Sequence, residues 1–200
     1  MCFHSQQSKS AQTLEKRFDA RLEQPQLYVP KIYNGFEHPR TAVITSDKQD
    51  TIQLFEWGLI PEWASDKSIQ KNTLNARVET LNEKPAFRGN LIRPCLIPAD
   101  GFFEWQWLDA AGKKKQKYFI HMPDNELYAY AGLWSMWKNS ATGETLHTYT
   151  IITTEANALM AQIHNTKKRM PIIVNSINEK DWLNNGTLIL GNDQLMAEQI

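Results

Sequence analysis

The residue with the clearest chemical potential is Cys2, which follows the initiator Met1. A small second residue allows the initiator to be removed, and Cys2 would then carry a free α-amine beside its thiol. The reference pKa values of these two groups are about 7.7–8.0 and about 8.5, so both are partly reactive at neutral pH. Such a 1,2-aminothiol can trap an aldehyde, first as a Schiff base and then as a thiazolidine ring. A chain can also begin Met-Cys without this role, so other residues must support the chemistry.

A row of polar side chains lies in residues 74–80. Alternation along an extended segment would place Asn75, Arg77 and Glu79 on the same side. This pattern is typical either of a solvated strand edge or of a polar binding floor, in which Arg77 neutralises a phosphate through its planar guanidinium. These residues alone leave both interpretations open.

A single carboxylate stands among aromatic residues in the segment 98–105. If Glu104 is buried there, its charged form is disfavoured and its pKa rises toward the range useful for general acid and base catalysis. The alternative is an exposed glutamate on an edge strand, alternating with Phe103 and Trp105.

An imidazole and a basic cluster follow one another late in the chain. His164 ends a predicted helix and is followed by Lys167, Lys168 and Arg169. A lone histidine at this place can simply cap the helix, because cations are favoured at helix C-termini. Its basic neighbours favour a second interpretation, in which the cluster binds a backbone phosphate beside a functional imidazole.

Two tryptophans flank a proline turn. Trp57 is predicted to lie in the core, whereas Trp63, beyond the turn, could be an exposed platform on which a base stacks. Such stacking is worth about 1–3 kcal/mol per base, although packing is the commoner role of a single tryptophan. The lysine-rich run 113–117 is predicted to be a solvated hairpin tip and is left out of the site.

The composition predicts one domain over residues 1–200. The chain has 200 residues, of which 42% are hydrophobic, and no Gly/Ser/Pro-rich linker divides it. Lys plus Arg equals Asp plus Glu at 22 each. A nucleic-acid partner would therefore be held by a local basic patch and not by overall charge.

Several classes of protein find no support in the sequence. The cysteines, Cys2 and Cys95, are predicted to be free thiols in an intracellular, reducing location. No run of about 18 apolar residues predicts a membrane span. Paired His or Cys ligands, Gly-rich nucleotide loops and nucleophile elbows are missing, so we predict no metal and no cofactor.

Hydrophobic spacing and turn residues predict the order of the elements. Helices are expected at residues 10–22 with Ser10 as N-cap, at 155–164, at 179–183 with Asn178 as cap, and at 192–199. Strands are expected at residues 41–45, 51–59, 91–97, 101–107, 118–122, 127–137 and 148–153. Many strands with helices at the ends predict an α+β domain on a curled, largely antiparallel sheet.

Taken together, these residues resemble the SRAP family (SOS response-associated peptidase domain), whose members process abasic sites. The resemblance covers nearly the whole chain and is carried by Met1-Cys2 and by residues 57–63, 75–80, 84–88, 95–105, 164 and 169–171. It implies a single domain with a barrel-like, curled β-sheet core, flanking helices and a positively charged groove for single-stranded DNA.

The resemblance also implies roles for particular residues. Catalytic roles match Cys2, Asn75, Glu104 and His164, and phosphate contacts match Arg77 and Arg169. After removal of Met1, Cys2 is expected to form a thiazolidine crosslink with abasic sites in single-stranded DNA, which shields the site during the response to DNA damage. A lyase side reaction, removal of Met1 by the protein itself, a monomeric state and a cytoplasmic, nucleoid-associated location are further expectations.

The chain departs from the family pattern at two places. Phe3-His4 stands where members often have Gly-Arg, and a longer loop, residues 165–168, separates His164 from Arg169. Two other functions also remain open at this level. One is a cysteine peptidase in which His164 activates Cys2, and the other is a non-covalent binder of single-stranded DNA or of a modified base.

Overall fold

The structure, a computed structural model, describes residues 2–191 and 194–200, and β-strands dominate it. The strands are β1 (His4–Gln7), β2 (Arg21–Leu22), β3 (Lys31–Asn34), β4 (Arg40–Thr45), β5 (Lys48–Trp57), β6 (Asn75–Arg77), β7 (Pro94–Ala99), β8 (Gly101–Trp107), β9 (Lys115–His121), β10 (Tyr128–Lys138), β11 (Thr145–Glu155), β12 (Arg169–Pro171), β13 (Ile173–Val174) and β14 (Met196–Gln199). The helices are α1 (Ala11–Phe18), α2 (Pro85–Arg88), α3 (Ala158–Ile163) and α4 (Glu179–Asn185).

These strands form two sheets. The smaller sheet has the order β14-β9-β8-β1-β3, and the larger has the order β12-β11-β10-β7-β4-β5-β2, with β13 added on β10 and β6 on β11. In the larger sheet β11 also pairs in parallel with β5, where Thr148 lies opposite Glu56. This extra pairing closes β4, β5, β7, β10 and β11 into a barrel. The predicted α+β class with a curled, barrel-like and largely antiparallel core is confirmed.

Alternation along the barrel strands fills its interior with large side chains. Tyr130 and Tyr149 are fully buried there, and so is Trp57, as the sequence predicts. The indole Nε1 of Trp57 donates a hydrogen bond to the Leu74 carbonyl at 2.8 Å, which satisfies its one buried polar atom. A second apolar cluster on the outside of the barrel packs α1 and α4 through Leu14 and Trp182.

The first strand holds the beginning of the chain against the smaller sheet. β1 pairs with β3 on one side, where His4 lies opposite Asn34, and with β8 on the other, where His4 lies opposite Phe103. Strand β8 has the bounds predicted for it, residues 101–107. Because β1 begins at His4, Cys2 is placed next to the middle of β8.

The predicted helix at residues 10–22 is too long. Ser10 caps it as expected, with its hydroxyl oxygen accepting from the Thr13 amide, but the helix ends at Phe18 because Asp19 adopts a left-handed backbone conformation. Arg21–Leu22 then forms a short strand parallel to β5. Tertiary pairing therefore overrides the four-residue spacing that extended the prediction to residue 22.

Two other helix predictions change. The segment 155–164 begins as the end of β11, and its helix starts only after Asn157, whose side chain accepts from the Met160 amide. The helix predicted at residues 192–199 is wrong, because Met196–Gln199 forms β14 and pairs with β9; Asn192 and Asp193 lie outside the described residues. The helix at residues 179–183 is confirmed, although Asn178 caps it without a side-chain hydrogen bond.

The barrel leaves no room for a side chain at Gly132, which allows a direct prediction. A Cβ there would meet Ile97 Cδ1 and would lie 2.6 Å from the carbonyl oxygen of Thr150, a backbone atom of the neighbouring strand that cannot move away. We expect Gly132→Ala to lower the free energy of unfolding by about 2–3 kcal/mol, measured by denaturant titration. Gly89→Ala is the control, because nothing lies within 4 Å of its added Cβ. Equal stability of the two variants would contradict the tight packing at Gly132.

Candidate active site

Cys2 lies at the centre of the candidate site. Its side chain is fully buried, and its Sγ lies 3.9 Å from the His4 carbonyl oxygen. The side-chain amide of Asn75 donates a hydrogen bond to the carbonyl oxygen of Cys2 at 3.0 Å. Burial raises the pKa of the Cys2 thiol well above its usual range, and the negative charge of Glu104 raises it further. Cys2 therefore sits between the asparagine of β6 and the glutamate of β8.

Glu104 is buried, so it is not the exposed edge-strand glutamate that its sequence context also allowed. It is only 6% exposed, on the inner face of β8. Burial raises its pKa from 4.5 to about 7, while the positive charge of the chain's amino terminus opposes this shift. A carboxyl group with this pKa is present in both protonation states near neutral pH, as a group that gives and takes protons must be.

His164 ends α3, as predicted, but it is not a cationic cap. Its ring is buried, and this burial lowers its pKa from 6.5 to about 4, with the positive charge of the amino terminus as the second cause. The imidazole is therefore neutral at pH 7. Its Nδ1 lies 2.9 Å from the carbonyl oxygen of Arg169, and the Arg169 amide donates toward the same nitrogen at 3.3 Å. The shorter contact favours the tautomer in which Nδ1–H donates and Nε2 carries the lone pair.

Hydrogen bonds fix the end of α3 against β8. The side chain of Gln106 donates to the Gln162 carbonyl at 3.0 Å. Asn165 binds the backbone of Trp107 twice, accepting from its amide at 3.1 Å and donating to its carbonyl at 2.8 Å. These contacts bring His164 beside the strand that carries Glu104, and the amino-terminal charge influences the pKa of both.

The basic residues of the sequence prediction occupy two different environments. Arg77 is exposed at the end of β6, two positions beyond Asn75, and Lys167 and Lys168 are exposed beside His164. Arg169, in contrast, is only 7% exposed and binds both carboxylate oxygens of Glu79, at 2.7 and 2.8 Å. Its guanidinium is committed inside the protein and is not presented to a ligand.

Asn75 and Arg77 lie on the same strand, β6. Glu79 lies beyond the end of that strand, so it is not on the same side as these two residues, contrary to the prediction from the sequence. Residues Val78–Thr80 form a short 3-10 turn, which redirects Glu79 toward Arg169. Trp63 is 63% exposed, with its indole nitrogen donating to the Pro85 carbonyl at 3.3 Å, and it lies outside the cluster around Cys2.

His4 stands where members of the family often have an arginine, but it does not act as a basic contact. His4 packs edge-on against Trp105, with ring centroids 4.9 Å apart. Burial lowers its pKa, and the neighbouring charge of Lys117 lowers it further, so the ring is neutral at pH 7. His4 therefore does not supply a positive charge at this position.

A group of buried hydroxyls next to Cys2 was not predicted from the sequence. The Tyr130 hydroxyl accepts from Ser5 Oγ at 3.4 Å and lies 3.0 Å from the Tyr128 hydroxyl. A hydrogen bond from Tyr130 to the thiol opposes the upward shift in the pKa of Cys2. The alternating tyrosines at residues 128 and 130, within an otherwise apolar strand, were the available signal.

Three further findings concern metal ions, membranes and the two thiols. Among residues 2–191 and 194–200, no group of three or more His, Cys, Asp or Glu side chains could hold a metal ion. None of the helices in this described part is both long and apolar enough to cross a membrane. The thiols of Cys2 and Cys95 are both free and buried.

Comparison with known proteins gives a consistent result. A family profile described as SOS response associated peptidase (SRAP) matches residues 1–197. The abasic site processing protein YoqW of Bacillus subtilis is 41% identical over 184 residues, covering 86% of this chain and 78% of its own. The Xenopus tropicalis abasic site processing protein HMCES is 33% identical over 153 residues, covering 65% of this chain and 44% of its own. A crystal structure of a Bacteroides thetaiotaomicron protein superimposes with a TM-score of 0.90 at 33% identity, covering 100% of this chain and 92% of that one. The chain belongs to the SRAP family.

Proposed function

We propose that this protein processes abasic sites in single-stranded DNA by forming a thiazolidine crosslink through Cys2 once Met1 has been removed. The observation that carries the proposal is the convergence of Asn75 and Glu104 on Cys2, beside a neutral His164. The similar proteins of Bacillus subtilis and Xenopus tropicalis are named for abasic site processing, which supports the abasic site as the substrate.

The reaction depends on the cleavage of one peptide bond. While Met1 is attached, the nitrogen of Cys2 is an amide and cannot act as a nucleophile. Its removal creates an α-amine with a reference pKa of about 7.7–8.0, which is partly neutral at physiological pH. Because Asn75 holds the Cys2 carbonyl at 3.0 Å, the new amine is positioned by a group that takes no part in proton transfer.

The first covalent step joins the amine to the C1′ aldehyde of the opened sugar. The nitrogen lone pair attacks the carbonyl carbon, and the carbonyl oxygen takes a proton from the carboxylic acid form of Glu104 to give a carbinolamine. The Glu104 carboxylate accepts the proton that the nitrogen releases, and the resulting carboxylic acid then protonates the hydroxyl, which leaves as water. The product is an iminium ion. A pKa of about 7 lets Glu104 perform these transfers in one cycle.

The second covalent step closes the ring. The Cys2 sulfur adds to the iminium carbon, the C=N electron pair returns to nitrogen, and the thiol gives up its proton. Because burial raises the pKa of this thiol, the proton needs an acceptor, and the neutral imidazole of His164 or the Glu104 carboxylate can take it. If the ring does not close, loss of a proton from C2′ of the iminium expels the 3′ phosphate and cuts the strand, which is the lyase branch.

The DNA strand would be held by phosphate contacts and not by base recognition. Arg77, Lys167 and Lys168 are exposed on the two segments that border the site. Trp63 offers an exposed ring for stacking at a greater distance. An abasic sugar has no paired base, so a single strand gives the amine the most direct access to C1′.

The same geometry weighs against a general cysteine peptidase. Such enzymes rely on a thiolate beside a protonated histidine. Here burial raises the pKa of the Cys2 thiol and lowers that of His164 to about 4, so both groups are neutral at pH 7. Removal of Met1 by the protein itself would thus be a single intramolecular event.

The first prediction concerns the identity of the nucleophile. Cys2→Ala keeps an α-amine but lacks sulfur, so we expect no heat-stable adduct with an abasic oligonucleotide on denaturing gels. Borohydride should still trap the Schiff base of this variant. Cys95→Ala, which removes the other buried thiol, is the control and should retain the heat-stable adduct. A heat-stable, unreduced adduct of Cys2→Ala would reject the thiazolidine, and cleavage of peptides without any DNA adduct would favour a peptidase.

The second prediction concerns proton transfer. Glu104→Gln removes the acid and base, so we expect adduct formation to slow by about 100-fold. Affinity for the DNA should change less than about twofold, because the carboxyl group is buried and does not contact phosphates. Single-turnover gel kinetics and fluorescence anisotropy measure the two quantities. A parallel loss of rate and affinity would make Glu104 a structural residue.

The pH dependence of stability provides a control for that variant. Folded Glu104 keeps its proton up to about pH 7, whereas the unfolded carboxyl loses it near 4.5. This contribution to stability is therefore fully present below pH 4.5 and is lost as pH rises to 7, by an amount on the order of 3 kcal/mol. Glu104→Gln should lack this slope and be the more stable protein at pH 8. If Glu104→Gln is less stable than wild type at pH 8, the substitution has disturbed the fold. Its slower adduct formation would then not be evidence for proton transfer by Glu104.

The third prediction concerns DNA binding. Arg77→Ala should weaken binding and reduce the slope of log affinity against log salt by about one unit, because one phosphate contact is lost. Arg21→Ala, an exposed arginine on β2, should leave the slope unchanged. Anisotropy titrations at several salt concentrations measure it. Equal slopes for wild type and Arg77→Ala would remove Arg77 from the DNA-binding surface.

A further inference from the structure

The ion pair between Arg169 and Glu79 joins two parts of the site. Glu79 accepts from Nη1 and Nη2 of Arg169 at 2.7 and 2.8 Å, and Nη2 also donates to the Thr153 carbonyl at 2.8 Å. The Arg169 side chain is 8% exposed and that of Glu79 is 43% exposed. The carboxylate therefore reaches in from the surface to neutralise a buried cation.

The backbone of the same arginine holds the imidazole. Nδ1 of His164 lies 2.9 Å from the Arg169 carbonyl oxygen and 3.3 Å from its amide nitrogen. The intervening loop is pinned by the Lys168 amide, which donates to the His164 carbonyl at 2.8 Å. The Arg169 main chain thus orients the ring, and the shorter contact, to its carbonyl oxygen, favours a proton on Nδ1.

We propose that Glu79, acting through Arg169, is a positioning residue that fixes the orientation and the tautomer of His164. The inference rests on the proposed function for its catalytic consequence, since that function gives His164 a part in ring closure at Cys2. It assigns Arg169 to the inside of the site, in place of the phosphate contact that the sequence suggests. It also gives Glu79 a role that neither its type nor its spacing indicated.

The strand order explains why the ion pair between Arg169 and Glu79 affects Asn75 as well as His164. β6 and β12 both pair with β11, β6 in parallel through Asn75 and Arg77, and β12 antiparallel through Arg169. Glu79 follows β6 directly, so the ion pair ties the segment that holds Asn75 to the segment that holds His164. A shift at this joint would move the two side chains relative to each other.

The charge of Glu79 is essential to the arrangement. The hydrogen bonds from Arg169 lower the pKa of Glu79, so the carboxylate stays ionised throughout the pH range of the reaction. Without it, a buried guanidinium would lack its counter-charge, and such uncompensated burial displaces the cation or its surroundings. Other charged groups that act nearby are Arg77 beside Glu79, the amino terminus and Lys167 beside His164, and Glu155 opposite Arg169.

The test uses a variant that keeps the shape of the glutamate. Glu79→Gln retains one oxygen that accepts from Arg169 but removes the charge. Nitrogen-15 NMR of the histidine rings should show that His164 loses its single tautomer and that its pKa moves toward its usual value of about 6.5. Adduct formation should slow by about tenfold or more, as misplacement of a catalytic group predicts, with DNA affinity within about twofold of wild type.

Two matched variants complete the design. Glu62→Gln breaks the more exposed ion pair with Arg93 and should change neither the His164 spectrum nor the adduct rate. Glu79→Asp keeps the charge and should restore most of the wild-type tautomer; it also serves if Glu79→Gln does not fold. An unchanged His164 spectrum in folded Glu79→Gln, or one equally disturbed in Glu79→Asp, would overturn the inference. Because the NMR readout needs no DNA, a wild-type protein without any adduct would reject the proposed function and leave this test intact.

Discussion

The site depends on the fixed position of the chain's beginning. Termini are usually the least ordered part of a domain, yet β1 is inserted between β3 and β8, and Asn75 binds the carbonyl of Cys2. A nucleophile at a free terminus would otherwise sample many orientations, and the entropy of ordering it would add to the barrier. The two sheets solve this problem together: the smaller holds the strand after Cys2, and the larger supplies the asparagine.

Burial around this fixed point acts on two titratable groups in opposite directions. Desolvation disfavours charge, so it raises the pKa of Glu104 to about 7 and lowers that of His164 to about 4. The site therefore contains a carboxyl group that is partly protonated at neutral pH and an imidazole that lacks a second proton. Burial is the main cause of both shifts, and the positive charge of the amino terminus lowers both pKa values further.

The sequence predicts the parts of this structure that local patterns determine. β8 has the predicted bounds and the barrel class is right, whereas the aromatic residues around Glu104 left its burial open until the strands were placed. The short strands β1, β3 and β14 were missed because each exists only through pairing with a distant partner. The partner of Arg169 was equally inaccessible, since Glu79 lies ninety positions earlier in the chain.

The longer loop after His164 is consistent with the buried position of Arg169. Arg169 is buried and binds Glu79 and the Thr153 carbonyl, so its side chain is directed into the protein. The loop residues 165–168 place Lys167 and Lys168 on the surface at the same point, with Lys168 in a left-handed conformation that turns the chain back toward β12. His4 is neutral and packed on Trp105, whereas Lys167, Lys168 and Arg77 are exposed cations on the segments that border the site. In this chain, then, the exposed positive charge beside the candidate site is carried by Arg77, which the family pattern includes, and by Lys167 and Lys168 of the longer loop.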